Sequence, residues 1–465
     1  MGLKFSLSQE IYDVEVIERD TSSRKLSLAI LGEADSANAQ MDSIMLQPLD
    51  RQFDKNLHYL EKDTTDEKLS IQQVSEFGLD FSEGRIALKA GPVYLTNVFG
   101  LNKFEGVRLG IGIRTREEIS DKVIFNGYGA FGFKDGKFKY GAGLGYKIGR
   151  KQKSVVGLLI KDDLLEPGRP RYLGKQRDIF RNFFASRMDR IISKNFLIQS
   201  KPTFYTSFEG GVELYSLQPQ YDYRYVPDIN DTVGTTGKFY FSEIKFRMLL
   251  GGRKNSQPGL SQLFLRQWGK FPNLHLNFSR GLKLDQGGDY DYNKFSTKLT
   301  QLVKWEKVGV FDITLEGGIM TENTPYQVMF TAPGSESALG SIIIKEAFQT
   351  MELYKFISDR FIHTFINYYL RESSNNLKRF NPRLGFSWSM GWGKVEGDIN
   401  IHREIVVQDY PDGYYEAGIL IDDLLNINVY NYFVARLGVG FFMGMGSYTT
   451  DFPAAARLTY SITPR

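Results

Sequence analysis

The first places to look for chemistry are the four histidines, His58, His275, His363 and His402. None stands in a His-Glu-x-x-His pattern and none is clustered, so their spacing offers no metal site. Two have a serine close by: His275 with Ser279, and His363 with Ser358 and Asp359. A hydrolase needs its base within hydrogen-bond reach of the nucleophile and a donor set for the oxyanion. On one strand, positions 275 and 279 lie about 13 Å apart at roughly 3.3 Å per residue. Positions 358 and 363 fall on opposite faces of a strand. The chain holds no Cys, which excludes disulfides, thiolate zinc, iron–sulfur clusters and thiol catalysis. It also has no Gly-x-Ser-x-Gly elbow and no Walker-type loop. These patterns predict a non-enzyme with no catalytic residues, no cofactor and no metal.

The remaining candidates are charges carried on alternating segments. Val107, Leu109, Ile111 and Ile113 oppose Arg108, Gly110, Gly112 and Arg114. Phe138, Tyr140, Ala142, Leu144, Tyr146 and Ile148 oppose Lys139, Gly141, Gly143, Gly145 and Lys147. Leu384, Phe386, Trp388, Met390 and Trp392 oppose Arg383, Gly385, Ser387, Ser389 and Gly391. Phe311, Ile313, Leu315 and Ile319 oppose Asp312, Thr314, Glu316 and Gly318. Such period-2 runs put one face in an apolar phase and the other in a polar one. The runs are long enough for a tilted strand to cross a bilayer, whereas soluble strands average about 5–6 residues. Their apolar faces are rich in aromatics, and their polar faces mix small residues with charges of both signs. A closed barrel is the one β architecture that satisfies every backbone group in lipid. The prediction is an all-β transmembrane antiparallel barrel of about 14–16 strands. Residues 85–465 would form it, and residues 1–84 a periplasmic or plug-like segment with a helix over residues 45–61.

On this reading Arg108, Arg114, Asp312, Glu316, Arg383, Glu416 and Arg436 point into the lumen as candidate gating residues, with Lys139, Lys147, Glu209, Glu213 and Arg457 beside them. Asp359 and Arg360 are adjacent and so face opposite ways. Arg360 reads best as an interfacial anchor and Asp359 as the partner of a lumen arginine, with a gate as the functional alternative. An Asp-Gly turn at Asp135-Gly136 joins two aromatic strands. Residues 305–307 and 393–397 look like further tight turns, and 164–188, 218–238, 251–270, 321–345 and 372–380 like long loops on the opposite side.

The 465 residues carry a formal net charge of only +4, with 24% charged, which argues against nucleic acid as a partner. No run of about 18 uncharged apolar residues exists, so no transmembrane helix is predicted. The first ten residues do not read as a signal peptide. The expectation is a mature or truncated form of an exported, outer-membrane protein. Outer-membrane lipids, other envelope proteins and exported cargo are the expected partners.

Five ordered segments resemble a known family. They are residues 104–115, 128–141, Gly287-Gly288-Asp289-Tyr290-Asp291-Tyr292, Phe356-Ile357-Ser358-Asp359-Arg360-Phe361 and Tyr415-Glu416-Ala417-Gly418-Ile419. The family is the outer-membrane barrels of the carboxypeptidase-regulatory-like-domain proteins, and the resemblance covers about residues 45–465. It implies a signal peptide and a small N-terminal β-sandwich, and the expectation is that this sequence is a form truncated of both. It also implies a distant similarity to the Omp85 superfamily of assembly and secretion barrels. Those barrels place an Arg-Gly motif on a lumen loop. The nearest string here is Ser279-Arg280-Gly281, which follows residues 274–278 and reads as strand, and Arg280 joins the candidate gating set. The chain ends Ile462-Thr463-Pro464-Arg465, without the terminal aromatic common in such barrels. The expected function is transport, insertion or export of macromolecules. The alternatives are a barrel enzyme acting on lipid or surface polysaccharide, and a simple diffusion pore.

Overall fold

The computed structural model describes residues 87–464 apart from 91–92, 117, 150–153, 174–178, 204, 228–233, 252–271, 286, 306–307, 322, 336–341, 371–381, 430–432 and 450–452. The expectations for residues 1–84, including the helix over 45–61, lie outside the described residues.

The wall begins with the short β1 (Ala87–Ala90), β2 (Val93–Asn102), β3 (Gly106–Thr115), β4 (Val123–Gly132), β5 (Phe138–Ile148) and β6 (Ser154–Leu165). After α1 (Ile179–Phe184) come β7 (Asp189–Thr203) and β8 (Thr206–Pro219), then the two-residue β9 (Arg224–Tyr225). β10 (Phe239–Leu250), β11 (Asn273–Gly281), β12 (Tyr292–Trp305) and β13 (Gly309–Met320) continue the wall. The short β14 (Phe330–Thr331) and β15 (Ile357–Ser358) precede β16 (Arg360–Leu370) and β17 (Arg383–Lys394). The short β18 (His402–Arg403) is followed by β19 (Tyr410–Val429), β20 (Phe433–Met445) and β21 (Ala454–Pro464). Leaving aside β1, β9, β14, β15 and β18, sixteen long strands remain among the described residues. Each pairs antiparallel with the next, from β2 to β21. Sixteen is even and is the upper end of the expected count.

The alternation decides which way each strand faces. In β5 the accessibility alternates residue by residue, with Phe138, Tyr140, Leu144, Tyr146 and Ile148 outward. Leu109, Ile111, Phe386 and Trp388 are outward too, and Ile111 is 69% exposed. An apolar band of this size has no place in water. It is the surface a bilayer covers, and the antiparallel ladders from β2 to β21 pair the backbone behind it. Among the described residues no helix is long and apolar enough to cross a membrane.

Strand parity fixes where the connections emerge. Those at residues 165–189, 219–239, 320–360 and 394–410 share one mouth, here the upper, with the Asp135-Gly136 turn. Gly136 sits at φ 63, the left-handed conformation this tight turn requires. The expected loops 251–270 and 372–380 lie almost wholly outside the described residues, but the strand ends that flank them, Leu250 and Asn273, Leu370 and Arg383, are at the lower mouth. The expectation that long loops all lie on one side is therefore corrected. Residues 393–397 are not a tight turn either; they open the long connection from β17 to β19.

Candidate functional site: a plugged lumen

The connection from β13 to β16 does not lie in solvent. Tyr326, Phe330, Phe348, Met351, Phe356 and Ile357 along it are all buried. Tyr326, Phe330 and Ile357 pack with inward residues of the wall such as Tyr215, Phe241 and Tyr292. Phe348 and Phe356 pack with Phe365, Tyr410 and Tyr414. A buried loop must find partners for its backbone, and this one does. β14 pairs with β15 across its base. The Gly168 amide donates to the Gln327 carbonyl at 3.2 Å, and the Thr331 amide donates to Gly168 at 2.8 Å.

The wall grips this plug at five points. Glu416 on β19 accepts from the Gln349 amide at 3.0 Å, the Thr350 amide at 2.6 Å and the Thr350 hydroxyl at 2.7 Å. Arg457 on β21 donates to Ser335 Oγ at 3.1 Å and to the Gln349 carbonyl. Lys298 on β12 pairs with Glu346 at 2.5 Å. Lys294 on the same strand donates to the Val328 carbonyl at 2.6 Å. At the edge of β21, Ile342 forms a parallel bridge with Leu458, and the Ile343 amide donates to the Leu458 carbonyl at 2.9 Å.

A second segment, residues 166–188, braces the first. Arg181 is 1% exposed. It donates to Glu166 Oε1 through Nε at 3.0 Å and Nη2 at 2.7 Å, and to the Gly334 carbonyl through Nη1. Burial alone would push the Glu166 carboxyl up, but Arg181 and Arg169 outweigh it and hold the group below its usual range. Phe184 of α1 packs with Ile344 and Ala347. Above both segments, the Tyr223 hydroxyl hydrogen-bonds His402 Nδ1 at 2.9 Å and accepts from the Tyr326 amide at 2.9 Å. Burial brings His402 down to about 4, with Asp398 opposing.

The sequence-derived candidates divide by direction. Arg108 points inward and grips Asp163 with two bonds of 2.7 and 3.0 Å. Arg383 and Arg436 converge on Asp423 at 3.9 and 3.5 Å, at a bulge in β19 where Asp423 takes φ 58. Asp312 and Glu316 share the inward phase of β13, as Arg114 does of β3. Glu416 holds the plug. Lys139 lies between Asp135 and Glu105 at 2.6 and 2.8 Å.

Two candidates, Arg280 and Asp359, are corrected, while Arg360 takes the outward place of an anchor. Arg280 lies within β11 on its outward phase and pairs with Asp291 at 2.7 Å, so it is no lumen arginine on a loop. Arg360 points outward at the start of β16 and pairs with Glu396. Asp359 accepts from the Glu396 amide at 2.6 Å rather than from a lumen arginine. His363 bonds Tyr410 Oη at 2.5 Å, and the His275 ring lies against Tyr172.

Sequence reasoning missed Thr350, Gln349, Ser335, Arg181 and Glu166. The one available signal was composition: the stretch from 326 to 357 is too apolar for a solvated loop.

The barrel resembles that of BamA. The structure of BamA from Haemophilus ducreyi lacking POTRA domains 1–3 matches with a TM-score of 0.51 at 10% identity, over 83% of this chain and 76% of that one. CdiB from Acinetobacter baumannii matches with a TM-score of 0.42 at 11% identity, over 80% and 60% of the two chains. The siderophore receptor PirA from Pseudomonas aeruginosa gives 0.33 at 9% identity, over 77% and 64%. No family model and no curated protein matches the sequence. The chain therefore has the fold of an outer-membrane β-barrel.

Proposed function

We propose that this protein resides in an outer membrane and moves macromolecules into or across it, with the segment 321–359 as a plug that must shift for passage. The observation that carries the reading is the grip of Glu416, Arg457 and the β21 edge on that plug. An open diffusion pore has no use for an aromatic core in its own lumen. Charge-assisted bonds from a single wall carboxylate to three donors hold a loop firmly and release it together. The barrel's likeness to BamA is one of fold and supports the setting rather than the cargo. The protein acts without covalent chemistry on this reading. Envelope proteins, exported cargo and the surrounding lipids are its partners.

The five ordered sequence motifs support kinship with the carboxypeptidase-regulatory-like-domain barrels. A β-sandwich encoded upstream in the full gene would agree with it.

The test is conductance across a planar bilayer. The native chain should be nearly closed, and Glu416→Ala should open it. A native chain that conducts steadily at the level of the variant would sink the plug reading and leave the diffusion pore.

A further inference from the structure

The outward face of β7 carries a cation beside a wholly apolar row of the wall. Lys194 is exposed. Its row across the wall runs Ala142, Ile160, Lys194, Leu214 and Ser242, by the register of β5, β6, β7, β8 and β10. The row below is wholly apolar: Leu144, Leu158, Phe196, Val212 and Ile244. The row above holds Tyr140, Asp162, Ile192, Ser216 and Tyr240. Both tyrosines are exposed, as members of an aromatic girdle are. Lys194 thus lies two residues along β7 from Ile192, on the side of the Tyr140–Tyr240 row away from the upper mouth.

The nearby acid is already engaged. Asp162 takes two bonds from Arg190, at 2.8 and 2.6 Å from Nε and Nη2. Lys194 forms no ion pair or hydrogen bond among the described residues. One positive charge is therefore left over on a face that lipid covers. An ammonium in that position stretches along its stem toward the interface, where the anions are headgroup phosphates. Arg190 stands on the same face four residues nearer the mouth, and its Nη1 takes no part in the Asp162 pair.

We propose that Lys194, assisted by Arg190, binds the phosphate of a lipid headgroup against the outer wall of β6 to β8. The inference rests on the reading of this face as lipid-facing and is independent of what the lumen passes.

Native mass spectrometry of the full chain tests it, with phosphatidylglycerol added to the detergent-purified protein. The native chain should retain the lipid, Lys194→Gln should lose most of the adduct, and Lys194→Arg should keep it. Heat-modifiable gel mobility confirms that each variant is folded. Full retention by folded Lys194→Gln would overturn the proposal. So would displacement of the lipid by inorganic phosphate at equal concentration, which would mark a free-anion site. A native chain that retains no lipid of any kind would remove the lipid-facing reading itself, whatever the conductance shows.

Discussion

Thr350 meets Glu416 twice, donating from its amide at 2.6 Å and from its hydroxyl at 2.7 Å. One carboxylate thereby fixes both the backbone and the side chain of the same plug residue. Glu416 is 1% exposed, so its carboxylate has no water to fall back on. Replacing Glu416 by Ala strands the Gln349 and Thr350 amides, at about 1–3 kcal/mol for each unpaired donor. Thr350→Val keeps the amide bond and should cost less. Urea unfolding of the two variants in detergent should rank them in that order, and equal losses would show that the amides find other partners.

The bridge between Ile342 and Leu458 offers a covalent lock. Bridged residues lie at the Cα separation a disulfide accepts, about 4.4–6.8 Å. The chain has no Cys to interfere. The double variant Ile342→Cys, Leu458→Cys should form the bond under oxidation and stop any conductance that Glu416→Ala has opened. Dithiothreitol should restore it. Conductance unchanged by the closed disulfide would mean that the moving part lies elsewhere.

Arg181 and Glu166 form a buried pair, and removing one partner leaves the other charge uncompensated. Arg181→Met should destabilise by about 3–5 kcal/mol. Arg181→Met with Glu166→Leu should recover much of that loss. The pH dependence follows from Glu166, whose folded-state value is depressed. Its contribution is complete above the ordinary carboxylate value and fades as pH falls through the lowered folded one. Thermal unfolding of native protein against the double variant, at neutral and acid pH, reads both effects.

His402 shares a hydrogen bond with Tyr223 at Nδ1 and is brought by burial to about 4. The unfolded chain takes up a proton near pH 6.5, where the folded one does not. Stability from this group is therefore full above that pH and declines between it and about 4, by up to roughly 3 kcal/mol. Amide exchange at residues 221–226 and 399–407 should quicken on acidification over that window. His402→Phe should flatten the response, and an unchanged response would place the titrating group elsewhere.

Phe386 faces outward at 44% exposure, whereas its neighbour Ser387 faces the lumen. Phe386→Arg should cost about 2–4 kcal/mol if it lies at mid-membrane. Ser387→Arg should cost much less. Refolding into lipid vesicles under denaturant titration compares them directly.

The wall was legible because a strand's period is local. Phe386 and Ser387 must face opposite ways in any sheet, so alternation alone told lipid from lumen for Arg108, Glu316, Arg383 and Glu416. Arg280 shows the limit. Residues 274–278 marked it as strand, and the phase of Leu274, Leu276 and Phe278 already set it outward, but its partner Asp291 follows only from the packing of β11 against β12. Arg360 reads as an outward anchor from its place beside Asp359, and only its partner Glu396 needs the structure.

The sequence by itself determined a long antiparallel barrel, its lipid-facing side and the charges of its lumen, because those depend on residue type at period two. Only the tertiary structure decided that the β13–β16 connection turns inward. The physical reason is that Thr350 and Glu416 are 66 positions apart. Their contact exists only once the wall has closed far enough to bring β19 opposite the plug, and no local pattern encodes that meeting.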